Sequence, residues 1–168
     1  MKWFLAVVVL AVIGLAGWYG YCPYPLLDRF QAAVDSGKPE AVQPFMDIPA
    51  LKKIVGDYVK RRYDRPDNPS ADLTPDQVGA IVDSFVTPQT LLAMMKGVRV
   101  EPGGALPDKI PEGAPPYPID RHYESPDIFA IDIYLSQVQT PDNKMSIFFG
   151  RNGWFDWKIT GLQFSWGG

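Results

Sequence analysis

His122 is the only histidine in the chain, so it is the only imidazole available as a general base near neutral pH. Asp120, Ser125 and Asp132 are its candidate companions, and a Ser-His-Asp set can be assembled from these residue types. If residues 119–124 form a strand, Asp120 and His122 share one face, the least geometry that an oriented base requires. No nucleophile elbow accompanies them, so no residue is assigned as catalytic. Asp132, Tyr134 and Asp156 form a second set of polar residues within strand-like runs. In a cone-shaped sheet they would face a ligand cavity; in a half-buried sheet they would face water. His122, Asp132, Tyr134 and Asp156 are therefore the candidate binding residues.

Other chemistries find fewer groups. A zinc site needs about three or four protein ligands, and one His with one Cys cannot supply them. The run PDNPSAD (66–72) has too few carboxylates for a calcium loop and lacks its glycine. Gly103-Gly104 leads into Ala105 and Leu106 instead of a lysine and a helix, so it is no phosphate cradle. No metal and no cofactor is expected. A net charge of −3 and a pI near 5.1 argue against nucleic acid as a partner.

The elements that would position these residues begin with an apolar run. From Trp3 to Leu27 there is no charged side chain. Its dense part, Trp3 to Trp18, approaches the roughly 20 residues that a helix needs to cross hydrocarbon. Trp3 stands at one end and Trp18, Tyr19, Tyr21 and Tyr24 at the other, matching the aromatic belts of an interfacial anchor. Residues 1–22 thus read as a transmembrane anchor. Lys2, the only charged side chain before the run, directs the remainder to the non-cytoplasmic side. Two alternatives stand beside the anchor: a signal peptide cut near Gly14 and Ala16, and a buried core helix. Cys22 is the only cysteine and forms no internal disulfide; it reads as a free thiol at the membrane edge, with acylation or an intermolecular bridge as alternatives.

Residues 23–168 are a size for one domain. Hydrophobic content of 46% and aromatic content of 13% suit a globular body. The first half (23–100) has a helical period. Leu26, Phe30, Ala33 and Val34 precede a stop at Gly37, and a short turn follows from Pro39 to Phe45. Leu51, Ile54, Val55, Tyr58 and Val59 make one buried stripe on a helix opened by Asp47 and Pro49 and closed by Lys60, Arg61, Arg62 and Arg65. Those cations fit either the helix dipole or an anionic lipid surface. Thr74-Pro75-Asp76-Gln77 is a capping box ahead of Val78, Ile81, Val82 and Phe85, and Thr87-Pro88 opens a helix carrying Leu91, Leu92, Met94 and Met95.

Residues 101–118 are a proline- and glycine-rich connection without period. After it the period becomes two. Strands are expected at 119–124, Ile128–Gln137, Met145–Gly150 and Trp154–Ser165, with a tight turn at Asn152-Gly153 and a bulge or kink at Gly161. The predicted fold class is α+β: a transmembrane helix, then several short helices packed on a curved antiparallel sheet of about four strands, cone-like by analogy with nuclear-transport-factor or cystatin folds.

Three segments carry a family resemblance. FMDIPALKKIVGDYVKRRY (Phe45–Tyr63), VDSFVTPQTLLAMM (Val82–Met95) and WFDWKITGLQFS (Trp154–Ser165) resemble a helix start, the middle helices and the closing strand of the bacterial domain-of-unknown-function family 2939. The likeness extends over nearly the whole chain, the anchor included, and the proline-rich connection departs from it. It implies a short membrane-anchored envelope protein and no activity or catalytic residue. The expected location is then single-pass in the bacterial inner membrane, with the domain periplasmic or extracellular, or secreted after signal cleavage. A non-enzymatic binding or interaction module is expected, with membrane lipid as one partner and an envelope protein or apolar ligand as another. The alternative is a hydrolase- or isomerase-like enzyme using His122 or a strand aspartate.

Overall fold

A computed structural model of the chain describes residues 2–21, 23–63, 73–106, 109–110, 119–134, 143–153 and 156–166. Six α-helices precede one four-stranded antiparallel sheet. The helices are α1 (Lys2–Tyr21), α2 (Pro23–Asp35), α3 (Pro39–Val42), α4 (Ile48–Tyr63), α5 (Pro75–Phe85) and α6 (Pro88–Met95), with a 3-10 turn at Gln43–Phe45. The strands β1 (Ile119–Ser125), β2 (Ile128–Tyr134), β3 (Asn143–Arg151) and β4 (Trp157–Trp166) pair in chain order, as a meander.

Local chemistry sets the helix ends. Asp47 Oδ1 accepts from Ala50 N at 3.1 Å and opens α4. Thr74 and Gln77 form the reciprocal box at α5, and the Thr87 hydroxyl accepts from Thr90 N at 3.1 Å at α6. Proline follows each threonine, where its missing N–H costs nothing. Gly37, past the end of α2, takes φ 67°, a left-handed conformation that glycine adopts without a Cβ clash.

The helices cover the sheet face that carries Phe129, Met145, Ile147, Phe149, Trp157 and Ile159, each 0–1% exposed. Ring edges knit the two layers together. Phe30 of α2 meets Phe149 at 5.4 Å, Tyr24 meets Phe129 at 5.7 Å, and Phe85 of α5 meets Phe164 at 6.2 Å. In α4 the stripe is narrower than its spacing predicts. Leu51, Val55 and Val59 are buried, Tyr58 is half-buried, and Ile54 is 37% exposed.

β4 carries the expected irregularity. Its register jumps from Phe148↔Gly161 to Phe149↔Ile159, which makes Thr160 the extra residue of a bulge. A Cβ on Gly150 would lie 2.8 Å from both Thr160 Cγ2 and Thr160 Oγ1, and turning χ1 cannot move both atoms away at once. Gly150→Ala should therefore cost about 1–2 kcal/mol, and Thr160→Ala in the same chain should recover most of it; thermal unfolding followed by near-UV circular dichroism measures both. The Asn152-Gly153 turn is wider than a two-residue loop, because Asn152 N donates to Asp156 O at 2.7 Å. Beyond β4, Met46 bridges Ile159 in parallel and Asp47 N donates to Ile159 O at 3.0 Å, which covers part of that sheet edge.

α1 is 20 residues long, and its described apolar side chains lie open: Leu10 and Leu15 are each 68% exposed and Ile13 62%. This sets aside the buried-core-helix alternative. Among the described residues no single helix is long and apolar enough to cross a membrane; the apolar stretch within α1, Ala6–Leu15, is shorter than a span needs. α5 and α6 pass on length and composition only as a pair bent by 57°, and their apolar residues are buried in the core. Trp3 and Trp18 are exposed at the two ends of α1, while the side chains of Tyr19 and Tyr21 lie outside what is described. Cys22, Arg65 and most of the 101–118 connection also fall outside the described residues.

Candidate functional site

Strand alternation gathers the polar candidates on the sheet face opposite Phe129 and Phe149. Asp120 pairs with Asp132, His122 with Ala130, and Tyr134 with Lys144. His122 Nε2 lies 3.1 Å from Glu124 Oε1, and Nδ1 lies 3.8 Å from Asp120 Oδ2. The 3.8 Å approach is too long for a hydrogen bond, and Nδ1 is buried with no hydrogen-bond partner among the described residues.

Asp132 is 3% exposed, and both of its oxygens are occupied. Lys144 Nζ donates to Oδ2 and Ser146 Oγ to Oδ1, each at 2.5 Å. Burial pushes the Asp132 carboxyl up, but the Lys144 and Ser146 hydrogen bonds, with the charges of Lys144 and His122, outweigh it and hold the pKa below 3.8. The same hydrogen bond, donated to Asp132, raises Lys144 above its ordinary 10.5, against the opposing effect of burial. The result is a closed, fully paired carboxylate.

The candidates do not all converge. His122, Asp132 and Tyr134 share a face, as alternation predicts. Asp156 does not reach it: it precedes β4, is exposed, and accepts from Asn152 Nδ2 at 3.3 Å across the β3–β4 turn. The hydroxyl that reaches an aspartate belongs to Ser146 and not to Ser125. Lys144 and Ser146 escaped the sequence reading, although their two-residue spacing on β3 matches that of Asp132 and Tyr134 on β2. Pairing them requires the strand register, which the sequence leaves open. Among the described residues no group of three or more His, Cys, Asp or Glu is placed to hold a metal ion.

A second feature lies where α4 runs beside β4. A groove of about 410 Å³ is lined by Ile54, Val55, Tyr58 and Arg61 of α4, by Pro102, and by Phe148, Gly161, Leu162, Gln163 and Phe164 of the sheet. None of His122, Asp132, Tyr134 or Asp156 lines it. Its volume is within the range of small-molecule sites, and its walls are mostly apolar. The slip at Gly161 signals the bulge in β4, and no feature of the sequence places α4 beside it.

Fold and site together define a small α+β domain led by an apolar helix, with a half-open apolar groove along its last strand. A family model described as "Protein of unknown function (DUF2939)" matches residues 12–94, and that part of the chain belongs to the family. The match takes in the second half of α1 and all of α2 to α5, and it ends within α6, so the strands, including the closing strand that carried part of the resemblance, lie beyond it. No curated protein and no solved structure matches the chain.

Proposed function

We propose that the protein is a non-enzymatic binding module tethered to a membrane by α1, with its domain on the non-cytoplasmic side of a bacterial inner membrane. The observation that carries this reading is the uncovered apolar length of α1. Val7 to Leu15 contains Leu10, Val12, Ile13 and Leu15, each 58–68% exposed, on a helix that has no described charge between Trp3 and Trp18. Soluble chains rarely leave so much contiguous apolar surface in water, and a lipid environment covers it. Membrane lipid is then the first partner, and an envelope protein or apolar ligand at the domain is the second. Nucleic acid remains outside the reading because of the acidic balance.

A C-terminally tagged chain should sediment with membranes at full mass, resist carbonate extraction, and lose its tag to protease added outside the inner membrane. Full-mass material in the soluble cytoplasmic fraction overturns the tether, and loss of an N-terminal fragment with release of the domain replaces it by a cleaved signal.

A second reading, an enzyme based on His122, draws on the gathering of His122, Asp120, Glu124 and Asp132 on one face. It is the weaker one, because Asp132 is consumed by Lys144 and Ser146, and because the Ser146 hydroxyl donates to Asp132, leaving it no proton to give to the imidazole.

A further inference from the structure

We infer that the groove between α4 and β4 binds a long-chain carboxylate amphiphile of the fatty-acid type, with its chain along Ile54, Leu162, Phe148 and Phe164 and its head on Arg61. The inference rests on the binding-module reading and names that module's ligand.

The groove exists because of one residue type. Gly161 is buried, and a Cβ there would stand 3.3 Å from Phe148 Cδ2 and 3.6 Å from Ile54 Cδ1. Any larger side chain at this position would fill the space between helix and strand. β4 is an edge strand, so Gly161 and Gln163 of one face line the groove together with Leu162 and Phe164 of the other. Ile54, drawn from the apolar stripe of α4, stays 37% exposed beside this space instead of packing into the core. The walls thus present apolar surface that the chain itself leaves uncovered.

Charge selects the head group. Nearby cations have carboxylate partners within the chain: Arg62 and Arg99 share Glu101, at 3.1 and 3.0 Å, and Lys52 pairs with Asp83 at 2.7 Å. Arg61 is different. Its described hydrogen bond runs from Nε to Asp57 O at 3.2 Å on its own helix, and no carboxylate among the described residues pairs with it. Among the described residues it is also the only cation lining the groove. A planar guanidinium matches a carboxylate with paired N–H donors, and one cation balances one negative charge. The Tyr58 hydroxyl accepts from Arg62 Nη1 at 2.9 Å, which leaves its own proton to donate to a second carboxylate oxygen. A phosphodiester lipid would bring two chains to a groove walled by one helix and one strand. A tether that holds the domain beside a bilayer would keep it where single-chain amphiphiles concentrate.

The test uses the full chain in phosphatidylcholine nanodiscs with a palmitate analogue bearing a diazirine near its methyl end. After irradiation, labelled peptides are mapped by mass spectrometry. The expected result is saturable labelling of α4 around Ile54 and of β4 around Leu162. Free palmitate should compete, and hexadecanol, which keeps the chain but not the charge, should compete at least ten-fold less well. Arg61→Gln, a change at an exposed position, should weaken saturable labelling about ten-fold, and Arg61→Lys should restore part of it. Labelling of α1 is a separate, non-saturable signal of lipid contact. Groove labelling without α1 labelling supports the ligand and removes the tether; α1 labelling without groove labelling does the reverse. Equal competition by hexadecanol, unchanged labelling in Arg61→Gln, or stronger competition by phosphatidylglycerol than by palmitate each overturns the inference.

Discussion

Lys144→Met should destabilise the domain by about 3 kcal/mol, the cost of leaving a buried carboxylate without its counter-charge. For a chain of this size that is a fall in Tm of roughly 6–12 °C. The reason lies in the geometry of Asp132. It is 3% exposed, and its two oxygens have one ammonium and one hydroxyl as described partners. Removing the ammonium leaves the Ser146 hydroxyl alone against the desolvation of a full charge. Replacing both partners should behave differently. Asp132→Leu with Lys144→Met removes the buried charge as well, and should return to within about 1 kcal/mol of the parent chain, because apolar replacements of buried pairs are often neutral. A double variant as unstable as the single one would show that the ion pair itself, and not an orphaned charge, sets the cost.

The pH dependence follows from the same pair. The folded-state pKa of Asp132 lies below its unfolded value near 3.8, so its contribution to stability is full above that value and is lost as pH falls through the depressed one. Lys144 acts at the other end. Its folded pKa lies above 10.5, so its contribution is full below 10.5 and disappears as pH rises through the raised value. The gap between the parent chain and Lys144→Met should therefore be widest on the plateau between these limits. It should close in acid, where protonated Asp132 no longer needs a counter-ion. Chemical denaturation followed by tryptophan fluorescence across that range reads it directly.

Legibility in the sequence divides along the range of the interactions involved. Thr74 with Gln77, Thr87 with Pro88, and Asp47 ahead of α4 act within about one helical turn, so residue type and spacing suffice to place them. The slip at Gly161 is equally local, since an extra residue must break strict alternation. What the sequence could not deliver depends on register. Lys144 and Ser146 become partners of Asp132 only when β2 and β3 are aligned across a connection whose length alone does not fix the pairing. Ile54 belongs to the α4 stripe by spacing, yet its exposure is decided by how far α4 overlaps β4. Asp156 fits the alternation of β4, but the Asn152–Asp156 closure ends the turn at that residue and keeps it off the strand. The groove was invisible for the same reason: its α4 and sheet walls are far apart in the chain, and only the docking of α4 on β4 brings Arg61 near Gln163.

Whether the helical and strand halves fold as one unit is decided at the contact of Phe30 with Phe149. Both rings are buried, at 1% and 0% exposure, and they meet edge to face at 5.4 Å. Phe30 also meets Phe45 at 5.4 Å, which ties α2 to the turn ahead of α4. Phe149→Ala should cost about 3–5 kcal/mol through lost transfer energy and the cavity it leaves. Phe30→Ala should cost a similar amount although it lies on a helix more than 100 residues earlier, because the same ring surfaces are uncovered. A double-mutant cycle should give a coupling of about 0.5–1.5 kcal/mol, the range for an edge-to-face pair. The decisive measurement is the shape of unfolding and not its midpoint. One core shared by α2, α4, α5 and the sheet requires far-UV ellipticity and Trp157 environment to change together in both variants. Helical signal that survives after the tryptophan environment is lost in Phe149→Ala would instead divide the chain close to where the family match ends, with the strands as a separate unit.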